Sequence, residues 1–135
     1  MPATKRILLV DDSDIELELM CHYLEAWPSA LHVDCASDGQ AAVDHVAANA
    51  GALALVMIDN KMPRMDGIEA VKRMRDLDRT VPIVMWSGSD DPGEVRRAYA
   101  AGVNSYLRKP STTAEAREMI QVLVRYWAYM HRPPA

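Results

Sequence analysis

The sequence has no apolar run long enough to cross a membrane, and no apolar signal-peptide segment near its amino terminus. A helix that spans a bilayer needs about 20 consecutive apolar residues, and a secretory signal needs an apolar stretch before its cleavage site. We therefore expect a cytoplasmic protein with no membrane partner.

Cysteine and positive charge are also in short supply. Cys21 and Cys35 do not have the spacing of a zinc site, and in a reducing compartment both should remain thiols. The chain has 15 lysines and arginines against 19 aspartates and glutamates, which gives a net charge of -4. Domains that bind nucleic acid have a basic footprint, so we expect no nucleic-acid partner.

The residues that are present are typical of one globular domain. Of the 135 residues, 50% are hydrophobic and 25% are charged, and this length allows a single core. We expect the domain to span residues 1–135, with its core from about residue 5 to 130 and a short C-terminal tail. A second, effector domain would not fit in this length.

Short apolar runs alternate with segments that have the period of a helix. The five predicted strands cover residues 7–10, 31–36, 53–58, 82–86 and 105–107. Five such repeats with short connections predict a doubly wound parallel sheet with helices on both faces. The third run is apolar throughout, which indicates a central strand buried on both sides.

Helix ends follow from capping residues and proline. The first helix should begin at Ser13 or Asp14, and we expect Pro28 to end it. The last helix should begin at Thr112 or Thr113 and reach about Met130. The core face of the first helix is predicted to include Ile15, Leu19, Tyr23 or Leu24, and Trp27.

Polar residues follow four of the predicted strands. Asp11 and Asp12 follow the first and Asp59 follows the third, while Ser87 and Lys109 follow the fourth and fifth. In an open parallel sheet these carboxyl ends meet at one edge, where such folds place their sites. Two carboxylates 4 Å apart repel by roughly 4 kcal/mol at an effective dielectric near 20, so the edge favours a cation. Oxygen ligands favour Mg²⁺ or Mn²⁺ over zinc.

The other two groups suit phosphoryl chemistry. A lysine ammonium and a serine hydroxyl can both donate hydrogen bonds to phosphoryl oxygens. A carboxylate between them and a metal, such as Asp59, can attack phosphorus and form an aspartyl phosphate. Each residue alone also has an ordinary explanation as a helix cap, a turn residue or a solvated charge, so the prediction depends on their combination.

These motifs resemble those of the CheY-like receiver family of two-component response regulators. The resemblance covers roughly residues 5–129 and rests on four motifs: Asp11-Asp12, Asp59-x-x-Met62-Pro63-x-Met65-Asp66-Gly67, Ser87-Gly88 and Lys109-Pro110. It implies a flavodoxin-like sheet with the strand order 2-1-3-4-5. It also implies a stand-alone regulator of a phosphorelay that turns over no separate substrate.

The resemblance assigns Asp59 as the phosphoacceptor. Asp12 resembles the direct ligand of Mg²⁺ or Mn²⁺, Asp11 the ligand that acts mainly through water, and the backbone carbonyl of Lys61 the third protein ligand. In the same way Lys109 and Ser87 resemble the groups that bind the phosphoryl oxygens. Ser87 and Tyr106 resemble the pair that switches conformation on phosphorylation.

The implied donor is a sensor histidine kinase. The segment from Ala98 to Tyr106 and the late Tyr126-Trp127 pair are similar to regulators of phytochrome-type kinases. Tyr126, Trp127, Tyr129 and Met130 exceed what one face of a terminal helix can bury, so we expect a homodimer. Its interface would be the last helix, or the face formed by the fourth helix, fifth strand and last helix. The downstream protein partner is not identified by the sequence.

Two other functions stay open at this point. A receiver-like module could bind partners without phosphorylation, although the complete acidic set argues against this. A hydrolase with an aspartate nucleophile would usually have a second aspartate two residues after the first, where this chain has Lys61.

Overall fold

Strands and helices alternate along the chain. The computed structural model describes residues 4–25, Trp27 and residues 30–134. The strands within them are β1 (Lys5–Val10), β2 (Leu31–Ala36), β3 (Leu55–Ile58), β4 (Ile83–Ser87) and β5 (Ser105–Arg108). The helices are α1 (Asp14–Leu24), α2 (Gly39–Ala48), α3 (Gly67–Leu77), α4 (Pro92–Ala101) and α5 (Thr113–Val124), which continues as a π-helical segment, Arg125–Met130.

The strands form one parallel sheet in the order β2-β1-β3-β4-β5, as predicted. Every residue of β3 and β4 is buried, as expected for central strands. Helices cover both faces: α2, α3 and α4 pack on one hydrophobic core, and α1 and α5 on the other. The doubly wound architecture is therefore confirmed.

Polar side chains define where each helix begins. Ser13 accepts a hydrogen bond from the Glu16 amide at 3.3 Å, which satisfies an amide that the first turn of α1 leaves unpaired. The corresponding caps of the later helices are Asp38, Asp66, Asp91 and Thr112. The predicted starts of α1 and α5 are confirmed.

The predicted core face of α1 is partly wrong. Ile15 is 72% exposed and Leu19 is 40% exposed. The face that packs against the sheet and α5 instead includes Leu17 and Met20, together with the predicted Tyr23 and Leu24. The apolar residues of α1 lie on two adjacent stripes, and the position of the sheet decides which stripe is buried. Trp27 is partly buried and stacks on Tyr129, with ring centroids 5.8 Å apart, and the predicted stop at Pro28 lies outside the described residues.

The final helix ends at Met130, as predicted, but its last six residues wind more widely. The His131 amide donates to the Tyr126 carbonyl at 2.7 Å, five residues earlier. Trp127 and Tyr129 pack against the core, whereas Tyr126 and Met130 remain exposed. Among the described residues, no helix has the length and apolar composition to cross a membrane.

Both cysteines are free thiols. Cys21 on α1 and Cys35 on β2 place their sulfur atoms 3.5 Å apart. Burial and contact with Cys21 raise the pKa of the Cys35 thiol to about 12, so that it stays protonated at neutral pH.

Candidate functional site

The pairing of β1 with β3 brings the three predicted carboxylates together. Val10 is the partner of Ile58, so Asp11, Asp12 and Asp59 leave the sheet side by side. One oxygen from each carboxylate lies within 4.8 Å of the others. Asp11 and Asp59 are buried and Asp12 is exposed. The sequence therefore predicted this acidic cluster correctly.

The oxygens of Asp11 already have protein partners. One accepts a hydrogen bond from the Ser13 amide at 2.9 Å, and the other from the Lys109 ammonium at 3.1 Å. Asp12 is open to solvent by comparison. The roles of Asp12 as a direct metal ligand and of Asp11 as a ligand through water stay predictions.

Lys109 provides the positive charge of the site. Its ammonium nitrogen lies 3.1 Å from Asp11, 3.5 Å from Asp59 and 3.4 Å from Glu16. Burial lowers the pKa of Lys109, but the carboxylates of Asp59 and Asp11 outweigh that effect and the net pKa is raised. The lysine is consequently a stable cation at neutral pH.

One ammonium does not offset the negative charge of the cluster. Burial raises the pKa of Asp59, and the nearby Asp11 carboxylate raises it further, against the opposing effect of Lys109. A hard divalent cation would relieve this repulsion, and carboxylate oxygens are the ligands that Mg²⁺ and Mn²⁺ prefer. The residues present therefore fit the predicted metal.

The loop after β3 positions Asp59 through its neighbour Asn60, which the sequence analysis missed. The Asn60 carbonyl accepts a hydrogen bond from the Gly67 amide at 2.8 Å, and its side-chain oxygen accepts one from Ile68 at 3.0 Å. These bonds hold the start of α3 against the end of β3. Lys61 lies exposed in the same loop, and the role of its carbonyl as a ligand stays a prediction.

Ser87 and Tyr106 meet through a third residue, Glu94, which the sequence analysis also missed. The buried Ser87 hydroxyl donates to the Glu94 carboxylate at 3.2 Å. The Tyr106 hydroxyl has a single proton and two acceptors within reach, the same carboxylate oxygen of Glu94 and, at 2.6 Å, the Ser89 carbonyl. Burial and the bond to Glu94 raise the pKa of Tyr106 to about 12, so the phenol keeps its proton.

The sequence signal at Glu94 indicates a different role. Asp91 and Glu94 have the spacing of a capping box, in which the glutamate would bond back to the amide of the cap residue. Here the Ser89 hydroxyl accepts the hydrogen bond from that amide, at 3.2 Å. Only the position of α4 beside β4 and β5 shows that Glu94 contacts Ser87 and Tyr106.

This strand order, with two helices on one face and three on the other, defines a CheY-like flavodoxin fold. The family model of the response regulator receiver domain matches residues 7–121. The chain therefore belongs to the receiver family of two-component response regulators. Receiver domains accept phosphoryl groups from histidine kinases and bind Mg²⁺ or Mn²⁺ at an acidic pocket.

Solved structures of response regulators have similar folds. The phosphorylated cyanobacterial phytochrome response regulator RcpA superposes with a TM-score of 0.89 at 23% identity, over 98% of this chain and all of RcpA. The Mn²⁺-bound form of the response regulator Rcp1 gives a TM-score of 0.84 at 27% identity, over 97% of this chain and 99% of Rcp1. At 23% identity, the match to RcpA shows only that the two proteins have the same fold.

Curated relatives include proteins of similar length and longer ones. The probable methanogenesis regulatory protein FilR2 of Methanothrix harundinacea is 28% identical over 95% of this chain and 86% of its own length. The two-component response regulator ORR41 of Oryza sativa is 37% identical over 78% of this chain and 83% of its own length. A protein-glutamate methylesterase of Nocardioides is 38% identical, but the match covers only 32% of that enzyme.

Proposed function

We propose that this chain accepts a phosphoryl group on Asp59 from the phosphohistidine of a sensor histidine kinase. The observation that supports it most directly is the Lys109 ammonium, 3.5 Å from an Asp59 oxygen within the cluster of three carboxylates. In the transfer an Asp59 oxygen forms a bond to phosphorus, the phosphorus–nitrogen bond breaks, and its electron pair returns to the imidazole. Lys109 is placed to donate to a phosphoryl oxygen once the group arrives.

Asp12, Asp59 and the Lys61 carbonyl would hold Mg²⁺ or Mn²⁺, with Asp11 acting through water. A bound divalent cation would offset negative charge on the phosphoryl oxygens. The geometry of the three carboxylates supports this ligand set, and the Mn²⁺-bound state of the similar Rcp1 agrees with it.

Phosphorylation would be read out by Ser87 and Tyr106. In this proposal the Ser87 hydroxyl turns to donate to the phosphoryl group, and Tyr106 changes its contacts in response. A two-state element biased by a phosphoryl contact is a common form of such a switch. The linkage of both residues through Glu94 supports a coupled change.

We further propose that the output is protein contact, with no separate substrate turned over, and that the protein works in the cytoplasm. The kinase would be of the phytochrome type, which the similarity of residues 98–106 and of Tyr126-Trp127 to regulators of such kinases supports. Tyr99, Val122, Tyr126 and Met130 are exposed on α4, α5 and the π-helical segment. This apolar set supports a homodimer through the last helix or the face formed by α4, β5 and α5.

Intact-mass measurement after incubation with acetyl phosphate tests the phosphoacceptor. We expect the protein to gain one phosphoryl group when Mg²⁺ is present and none without it. Asp59→Asn should gain none, whereas Asp90→Asn, which changes an exposed aspartate, should behave like the wild type. Failure of the folded wild type to gain the group with Mg²⁺ would favour a phosphorylation-independent binding module. Normal modification of Asp59→Asn would show that the acceptor lies elsewhere.

A further inference from the structure

Glu94 is a buried carboxylate that the proposed phosphoryl transfer does not use. It is only 7% exposed, and it lies in the first turn of α4, where Asp91 caps the helix. The amides at a helix N-terminus have partial positive charge, which helps to stabilise a carboxylate there. Burying a charged group is nevertheless costly unless its hydrogen bonds are satisfied, and Glu94 satisfies them with Ser87 and Tyr106.

The two hydroxyl groups depend on Glu94 to different degrees. The single proton of the Tyr106 hydroxyl has a second acceptor, the Ser89 carbonyl, so Tyr106 keeps a partner without Glu94. Ser87 has one hydroxyl proton, and it donates that proton to Glu94 while its oxygen accepts from the Ser89 amide. A new acceptor can therefore receive the Ser87 proton only if Glu94 gives it up.

We infer that Glu94 is a positioning residue that holds the Ser87 hydroxyl in the unphosphorylated protein and competes with the phosphoryl group for its proton. The inference rests on the proposed function, in which Ser87 donates to a phosphoryl group on Asp59. Binding of that group would break the bond between Ser87 and Glu94, so Glu94 opposes the phosphorylated conformation. The strength of the hydrogen bond between Ser87 and Glu94 sets how much phosphoryl binding energy the switch requires.

A charged acceptor makes this competition effective. Hydrogen bonds to charged groups are stronger than hydrogen bonds between neutral groups. Replacing the carboxylate with an amide should weaken the hold on Ser87 and make a phosphoryl analogue bind about five-fold more tightly. Because the competition acts through the hydroxyl, the gain should vanish when Ser87 is replaced by alanine.

The experiment is a double-mutant cycle on Glu94→Gln and Ser87→Ala. Beryllofluoride, which stands in for the phosphoryl group, is titrated in the presence of Mg²⁺, and binding is followed by tryptophan fluorescence, since Trp86 adjoins Ser87. We expect tighter binding for Glu94→Gln in the wild-type background and no gain in the Ser87→Ala background. Glu115→Gln is the matched control, since Glu115 occupies the same first-turn position of α5 but is exposed.

The possible outcomes separate this inference from the proposed function. Failure of wild-type protein to bind beryllofluoride with Mg²⁺ would count against the proposed function itself. If the wild type binds, unchanged or weaker binding by Glu94→Gln would overturn the inference. An equal gain in both backgrounds would overturn it too, because it would show a through-space charge effect. Thermal unfolding of each variant establishes that it is folded, and Glu94→Met provides the same comparison if the amide variant is not.

Discussion

Gly67 lies against the backbone of Asp59. A Cβ atom built on Gly67 would collide with the Asp59 carbonyl oxygen and would lie 2.8 Å from the Cα of Asn60. This close approach lets the Gly67 amide donate to the Asn60 carbonyl at 2.8 Å. The start of α3 thus packs directly on the loop that positions Asp59, and only glycine leaves room for it.

Gly67→Ala should consequently destabilise the protein and disturb Asp59. Overpacking against a fixed backbone typically costs about 1 to 3 kcal/mol, and we expect a loss in this range in the free energy of unfolding measured with urea. Phosphorylation by acetyl phosphate should also slow. Gly88→Ala is the control, because a Cβ at Gly88 meets no atom within 4 Å. Equal stability of the two variants would contradict the packing argument.

Lys109→Ala should bind Mg²⁺ more tightly than the wild type does. The ammonium lies within 3.5 Å of Asp11 and Asp59 and opposes a second cation at those carboxylates. We expect the affinity for Mg²⁺ to rise about ten-fold, which corresponds to about a third of the roughly 4 kcal/mol interaction between two unit charges 4 Å apart at an effective dielectric near 20. Calorimetric titration with Mg²⁺ measures the change.

The same variant should still accept a phosphoryl group but should not switch. Lys109 is the cation proposed to draw a phosphoryl oxygen, so the fluorescence response to beryllofluoride should be lost without it. Lys72→Ala, which removes an exposed lysine of α3, should respond normally. A full response by Lys109→Ala would refute the assigned role of Lys109.

Asp78 should stabilise the fold in a way that depends on pH. Burial alone would raise its pKa, but hydrogen bonds from the amides of Thr80, Gly51 and Val81 outweigh this and lower it. A lowered pKa in the folded state means that the stabilisation is fully present above the unfolded value near 3.8. It is lost as the pH falls through the folded value.

Asp78→Asn should therefore reduce the free energy of unfolding by about 1 kcal/mol at pH 7. The difference from the wild type should persist down to about pH 5 and shrink below about pH 4. Thermal unfolding across this pH range is the measurement. Asp76→Asn changes an exposed neighbour on α3 and should match the wild type throughout. A gap between Asp78→Asn and the wild type that widens in acid would show that the sign is wrong.

The proposed dimer depends on exposed apolar residues of the last helix. Val122 and Tyr126 are each about half exposed, and burying them against a second copy would favour association. We expect sedimentation velocity to show a dimer that strengthens with beryllofluoride and is lost in Val122→Ser/Tyr126→Ser. Ile15→Ser removes a still more exposed residue from α1 and should leave association unchanged. If the wild type stays monomeric at high concentration both with and without beryllofluoride, the proposed dimer would be ruled out.

The location of the carboxylate cluster could be predicted because it depends on chain order and strand direction. Asp11 and Asp12 end β1 and Asp59 ends β3, and parallel strands place these ends at one edge wherever the pair is adjacent. Their adjacency came from the family resemblance, which supplied the strand order that the sheet shows. The bonds of Asn60 were not predictable, because they depend on how closely α3 approaches β3.

The core face of α1 shows the limit of a periodic pattern. Ile15 and Leu19 have helical spacing, but so do Leu17 and Met20 on the next stripe. A pattern with two apolar stripes fits either rotation of the helix. Contact with the sheet and α5 buried the second stripe and left the first exposed.

By itself, the sequence determined which chemical groups this protein has and at which strand ends they lie, because both follow from local patterns and chain direction. Only the tertiary structure decided which of these groups form hydrogen bonds or ion pairs with one another. Glu94 has the spacing of a helix cap, yet it binds Ser87 and Tyr106 because α4 packs beside β4 and β5. Contacts between residues far apart in sequence depend on the packing of whole elements, and short-range patterns do not specify that packing.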